Sequence, residues 1–218
     1  MVETPEFKVT QSQHSNTIFT VLLMEPNEVL LRSLQYVKPL LTGLTINTTF
    51  TMARFQASSV ITLNEYKTKN KVTYESTLYL IKSLTRQLTY LTNKLNHTFY
   101  KYNPENVLVI DSTQFVYISS SDLMPLECDK TIRFEYPFKK SSFAAPEILN
   151  IDTLPINVCN KSSYYSLGIL TIYFFLSCVP ISELEINEVL LPIKETGLYW
   201  FILKALNKIP SKRVLLFI

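Results

Sequence analysis

Hydrophobic and polar positions change period several times along this chain. Near the start the pattern is that of strands. Phe7-Lys8-Val9 alternates, and residues 17–24 (Thr-Ile-Phe-Thr-Val-Leu-Leu-Met) are β-branched, aromatic and aliphatic almost throughout. Pro26 ends the second strand and leaves Asn27 placed to cap a helix. Val29, Leu30, Leu34, Val37 and Leu41 then recur every three or four residues, which predicts an amphipathic helix over about residues 28–38, with Pro39 near its end and Gly43 closing it. Two more strands are predicted over residues 46–55, alternating at Phe50, Met52 and Arg54, and over residues 59–66. Lys67-Thr68-Lys69-Asn70-Lys71 reads as a solvated connector in preference to a binding patch.

From Thr73 the helical period returns. Leu78, Ile81, Leu84, Leu88, Leu91 and Leu95 form one stripe, predicting a helix of roughly 24 residues, about 36 Å long. The stripe spans too few heptads for a coiled coil, so a core-facing helix is expected. Pro104-Glu105-Asn106 makes a turn. Residues 107–110 and 115–118 form a short hairpin about the turn Asp111-Ser112-Thr113-Gln114. Residues 119–140 look irregular. Phe143 to Leu149 lead through a short helical turn, residues 164–178 form a very apolar helix halted by Pro180, residues 195–207 form another, and a last helix begins at Ile209-Pro210-Ser211. The fold class expected is α+β, with a change from strand-rich to helix-rich chain near residues 66–71.

Composition narrows the function. Apolar residues make up 47% and charged ones 18% of the 218 residues, so the chain has the means to bury a core. A net charge of +3 is too small to argue for a nucleic-acid or anionic-membrane partner. The most membrane-like run, residues 169–179, is shorter than the ~20 residues a bilayer span needs, and the first residues show neither a basic nor an apolar leader segment. Three widely spaced cysteines (Cys128, Cys159 and Cys178) fit neither a disulfide framework nor a zinc site and point to a reducing, intracellular compartment. On that expectation the glycosylation sequons at Asn96 and Asn160 go unused. Only three glycines occur, Gly43, Gly168 and Gly197, which leaves no cluster from which to build a phosphate-cradling loop. Of the two histidines, His14 and His97, the second falls at the end of the long helix, where a helix-end role is favoured over catalysis.

Four short motifs then fall in a meaningful order: Pro104-Glu105-Asn106-Val107-Leu108-Val109, Ala145-Pro146-Glu147, Tyr165-Ser166-Leu167-Gly168-Ile169-Leu170 and Pro210-Ser211-Lys212-Arg213. Their order and spacing resemble the C-terminal lobe of eukaryotic-type protein kinases, from residue 73 onward. The first 70 residues resemble the family by element order alone. The resemblance implies a bilobal fold, with a reduced strand-rich N-lobe (1–66), a hinge (67–71) and a mostly helical C-lobe (72–218), together one kinase-like domain. It implies that Glu147 and Arg213 form a buried ion pair and that Gly168 lies in the apolar helix as part of the retained framework. Leu63-Asn64-Glu65-Tyr66 would supply hinge contacts to an adenine.

The departures from the family's pattern bear on function. The catalytic Asp lies three residues before that Pro, and the position holds Lys101, a cation that cannot act as a base at neutral pH. The metal-binding Asp of Asp-Phe-Gly corresponds to Ser120, in Ser120-Ser121-Asp122, and the Asp that opens the apolar helix and hydrogen-bonds the catalytic loop corresponds to Ser163. The strand expected to carry a phosphate-anchoring Lys has none. Asn106, matching the second metal ligand, is retained, with loop capping its more economical role.

The expectation is therefore a catalytically inactive pseudokinase acting as a protein-binding, scaffolding or regulatory module, with no metal or other cofactor and with metal-independent ATP binding left open. Its partner would be another protein, with no nucleic acid and no membrane. One alternative is an atypical phosphotransferase drawing metal ligands from Glu105, Asp111 or Asp122. Another is a structural subunit of a larger assembly. The abundance of Asn, Ile, Lys and Tyr suits AT-rich coding, as in a large DNA virus or an AT-rich eukaryotic microbe. The aromatic run Phe134-Glu135-Tyr136-Pro137-Phe138 either packs its loop down or presents an anchor to a partner.

Overall fold

The structure, a computed structural model, describes residues 2–13, 15–35, 41–180 and 182–216, with Glu183 described by its backbone alone. His14 and the predicted helix end at Val37, Lys38 and Pro39 lie outside the described residues. The chain is mixed α+β with several small antiparallel sheets. It divides into two compact units, Met1–His97 with Pro104–Leu123, and Thr98–Asn103 with Met124–Ile218. In chain order the elements are β1 (Val2–Glu3), β2 (Phe7–Ser12), β3 (Ser15–Leu23), α1 (Glu28–Gln35), β4 (Thr45–Ile46), β5 (Met52–Gln56), β6 (Val60–Thr62), α2 (Leu63–Lys69), α3 (Tyr74–Tyr90), β7 (His97–Phe99), β8 (Val107–Ile110), β9 (Gln114–Tyr117), β10 (Leu123–Pro125), β11 (Thr131–Phe134), α4 (Pro146–Leu149), β12 (Ile156–Cys159), α5 (Ser162–Leu176), α6 (Glu183–Leu190) and α7 (Gly197–Ala205).

The first unit is built on a five-stranded antiparallel sheet in the order β1-β2-β3-β5-β4. Its buried face is a set of cross-strand pairs, Phe7 with Leu23, Val9 with Val21, and Phe19 with Phe55, the kind of apolar pairing that stabilises a sheet face. Asn27 caps α1 as its type suggests, accepting the Leu30 N–H at 2.9 Å. Residues 46–55, predicted as one strand, are instead a hairpin. Asn47 turns the chain by accepting the N–H groups of Thr51 and Met52, and Phe50 adopts a left-handed φ of 51°. The predicted alternation accordingly marks the wrong face: Ala53 and Phe55 are buried while Arg54 is exposed.

A second correction follows immediately. Residues 63–66 are not strand but the first turn of α2. Thr62 accepts the Glu65 N–H and Glu65 accepts the Thr62 N–H, a reciprocal cap that starts a helix directly after β6. The backbone of Leu63-Asn64-Glu65-Tyr66 thus lies within a helix, with Leu63 and Tyr66 buried, rather than in an extended hinge segment. Lys67, Thr68 and Lys69 complete its last turn.

α3 begins at a second reciprocal cap, Thr73 with Ser76. It widens into a π-helical turn over Leu91–Leu95, closed by Asn96 in the left-handed conformation. Of the predicted stripe, Ile81, Leu84, Leu88 and Leu91 are buried, and Leu78 and Leu95 half-buried. Gln87 is buried on the same helix: its amide donates to the Tyr117 carbonyl at 2.9 Å and accepts the Tyr117 N–H at 2.9 Å, tying α3 to β9. β8 and β9 form the expected hairpin, with β6 on the other side of β8. Its turn has positive φ at Asp111 and Ser112 and a Thr113 N–H to Ile110 carbonyl bond, the type I′ geometry whose twist suits a hairpin.

In the second unit, residues 131–134 were expected to be irregular but form β11, paired antiparallel with β12 across residues 156–159. Ile132, Phe134 and Val158 from this ribbon pack with Tyr100, Leu126, Ala144 and Ile148 in a buried cluster. α5 is buried along most of its length and ends at Ser177 in the left-handed conformation. Among the described residues no helix is long and apolar enough to cross a membrane. α6 begins at Ser182, which accepts the Glu185 N–H. The last predicted helix is only a single 3-10 turn, Pro210–Lys212.

Candidate functional site

Among the described residues a dense polar constellation lies in the first unit and centres on a residue that sequence reasoning passed over, Glu6. It sits in a tight Thr4-Pro5-Glu6-Phe7 turn between β1 and β2. Pro5 favours such a turn, and the Thr4 hydroxyl accepts the N–H groups of Glu6 at 3.3 Å and Phe7 at 3.1 Å. The Met24 N–H donates to the Glu6 carbonyl. The half-buried side chain is thereby aimed at the segment that follows β9.

That segment receives it with donors only. The Glu6 carboxylate accepts the Ser120 N–H at 2.6 Å, the Ser121 N–H at 3.1 Å, the Ser121 hydroxyl at 2.9 Å, the Ser119 hydroxyl at 3.0 and 3.1 Å, and the Asn106 amide at 3.1 Å. Two of the donor residues are held in turn. Ser119 Oγ also accepts the Asp122 N–H, and the Asn106 carbonyl accepts the Ile118 N–H. Hydrogen bonds to an ionised acceptor are roughly twice as strong as neutral ones.

Ser120 and Asn106, the two positions matched to metal ligands by the kinase resemblance, are therefore brought to one place, where both present donors to a carboxylate. The carboxylates named as alternative metal ligands serve other ends. Asp111 accepts the N–H groups of Ser58 at 2.7 Å and Ser59 at 2.9 Å, pinning the loop before β6. Asp122 is buried and accepts the Tyr117 hydroxyl at 2.5 Å. Glu105 lies in the Pro104–Asn106 3-10 turn. Among the described residues no three His, Cys, Asp or Glu side chains group as metal ligands.

The remaining predicted residues lie in the second unit. Lys101 is buried, donates to the Lys139 carbonyl at 3.2 Å and stands 5.1 Å over the Tyr100 ring. Ser163 donates to the Asn160 carbonyl at 2.7 Å, a bond local to the start of α5. It is Ser166, one helical turn on, that accepts a backbone N–H of the preceding loop, from Tyr102 at 2.7 Å. Two serines a turn apart on a helix of this character carry no sequence signal to separate them. Burial pushes the Tyr102 phenol far above its usual range, so it stays neutral, with Tyr164 adding to the effect.

Glu147 and Arg213 meet in a bidentate ion pair, Nη1 to Oε1 at 2.5 Å and Nη2 to Oε2 at 2.8 Å. The guanidinium is fully buried. Two further N–H groups go to the carbonyls of Asn207 at 2.8 Å and Lys161 at 3.2 Å, and its carbon centre lies 5.0 Å over the Tyr165 ring. Gly168 lies against the end of α7: a Cβ there would fall 2.9 Å from Leu206 Cδ2 and 3.2 Å from Ala205 Cβ. In the aromatic run, Phe134 and Phe138 pack against Tyr100, while Tyr136 is 78% exposed.

No protein-family model matches the chain, and no curated protein matches it.

Proposed function

We propose that this chain is a kinase-like protein without phosphotransfer activity, which works inside the cell by binding another protein. The observation that carries this reading is the Glu6 carboxylate seated among Ser119, Ser120, Ser121 and Asn106. Magnesium needs oxygen ligands, preferably anionic, and the two positions matched to such ligands turn N–H donors toward an anion of the chain itself. Lys101, at the position matched to the catalytic base, is a buried donor. The bilobal arrangement, with its strand-rich N-lobe and helical C-lobe, belongs to the same proposal and rests on the order of the four motifs.

Support for the binding role comes from large apolar and aromatic side chains left in solvent. Tyr136, Leu184, Leu191 and Trp200 are all exposed, and Trp and Tyr are the residues most often found to dominate protein interfaces. The same side chains favour a second reading, a structural subunit of a larger assembly.

The test is phosphotransfer and thermal melting of the purified chain with ATP, with and without Mg²⁺. We expect no incorporation of phosphate and no Mg²⁺-dependent rise in melting temperature. A ligand at 100 times its Kd stabilises by ~2.7 kcal/mol, which in a chain of this size raises the midpoint by several degrees. A Mg²⁺-dependent rise together with phosphotransfer abolished by Asn106→Ala would overturn the proposal. Concentration-dependent growth in particle mass by light scattering would favour the subunit reading.

A further inference from the structure

We propose that the Ser119–Ser121 turn together with Asn106 is an oxyanion-binding site, whose resident ligand is the Glu6 carboxylate and whose exchangeable ligand is a phosphate group. The inference goes beyond the binding-module reading and stands whether or not the chain is a relative of kinases.

Its first basis is the chemistry of the donors. Two successive backbone N–H groups, two hydroxyls and one carboxamide converge on two oxygens, and successive N–H groups aimed at one point form the concavity that holds phosphate in many proteins. Nothing in that set prefers a carboxylate to a phosphate oxygen. Its second basis is that the resident anion arrives from a distant part of the sequence, on a partly exposed side chain of a turn rather than on a buried backbone segment. Its third basis is space. A cavity of about 390 Å³ opens beside the cradle, lined by Glu6 itself with Pro5, Met24, Pro26, Asn27 and Ser120, and also by Ser121 and Glu25. That volume accommodates a phosphate or the end of a nucleotide, and it gives the Glu6 side chain somewhere to swing.

Charge then sets the order of events. Among the described residues the lining of this cavity includes no Lys, Arg or His, and Glu25 and Glu6 both disfavour a second anion. Phosphate cannot join Glu6; it has to replace it. The wild-type chain is thus held closed by its own carboxylate, and removing that carboxylate creates a vacancy of the right chemistry.

The experiment is thermal melting of the wild-type chain, Glu6→Ala, and Glu6→Ala combined with Ser121→Ala, each titrated with sodium phosphate or with ATP in EDTA. Sodium chloride at equal ionic strength is the control, and general stabilisation by phosphate is read from the wild type and the double variant. Glu6→Ala should melt below wild type in chloride. Phosphate should raise its midpoint by several degrees more than it raises that of the other two proteins. An equal response to ATP shows that a terminal phosphoryl group is accepted, whereas a response to phosphate alone assigns the free ion. If Glu6→Ala is unfolded in chloride, phosphate should restore its circular dichroism. The proposal is overturned if folded Glu6→Ala responds no more than wild type, or if an unfolded Glu6→Ala stays unfolded in phosphate.

Discussion

Arg213 is the largest fully buried side chain among the described residues, and the cost of burying it is offset by an ion pair and further hydrogen bonds. The planar fork takes both oxygens of Glu147, two backbone carbonyls take further N–H groups, and the Tyr165 ring lies alongside. Removing the carboxylate alone leaves a buried cation with only carbonyl dipoles around it. Breaking such pairs typically costs ~3–5 kcal/mol. Glu147 is 23% exposed, so water can reach its side of the pair, and we expect Glu147→Ala to fall at the lower end of that range in urea unfolding. Replacing both partners by apolar residues of similar volume should recover much of the loss, because no uncompensated charge then remains. A Glu147→Ala variant within ~0.5 kcal/mol of wild type would mean that the two carbonyls suffice.

At the scale of elements, the approach of α5 to the end of α7 turns on the absence of one methyl group. In Gly168→Ala, helix propensity favours the alanine by about 1 kcal/mol. Against this, the new Cβ would meet Ala205 Cβ at 3.2 Å, which moves only with its helix, and Leu206 Cδ2 at 2.9 Å. Overpacking of this kind typically costs ~1–3 kcal/mol. We expect a net loss of about 1 kcal/mol, read as a lowered urea midpoint. A raised midpoint would show that Leu206 simply rotates away. Elements of this kind differ in how far their sequence announces them. β2, β3, α3 and the β8–β9 hairpin were legible because each carries its own period and its own stop. α2 was misread as strand because Val60, Ile61 and Thr62 run straight into Leu63, although Thr62 and Glu65 stand at the spacing of a reciprocal cap. β11 was invisible for a different reason. Its partner β12 lies beyond a long loop and a helical turn, and a lone four-residue ribbon strand has no period long enough to detect. Likewise Ser120 and Asn106 could be singled out by motif, whereas Glu6, which fills the space between them, is one carboxylate among many until the turn at Thr4 aims it.

For the whole molecule, the change from strand-rich to helix-rich sequence near residues 66–71 does not coincide with a gap in the contacts. Within the first unit, β6 pairs with β8, Gln87 of α3 donates to the Ser33 hydroxyl of α1, Asp111 holds the N–H groups of Ser58 and Ser59, and Glu6 is held by Asn106 and Ser119–Ser121. Every one of these links crosses residues 67–71 in sequence. A fragment of residues 1–71 therefore contains all the strands of the β1-β2-β3-β5-β4 sheet but lacks the partner of β6, the donors around Glu6 and the helix that bears Gln87, the partner of Ser33. Small chains rarely bury enough apolar surface to fold without extra staples, and this one would also expose polar groups evolved to be paired. We expect the fragment, expressed alone, to give a disordered circular dichroism spectrum and no cooperative melt. Adding back residues 72–218 should restore both only if the two pieces associate. A cooperative melt of 1–71 by itself would show that the five-stranded sheet and α1 are self-sufficient, and that the links to α3 and the β8–β9 hairpin position the Glu6 cradle without being needed for the fold.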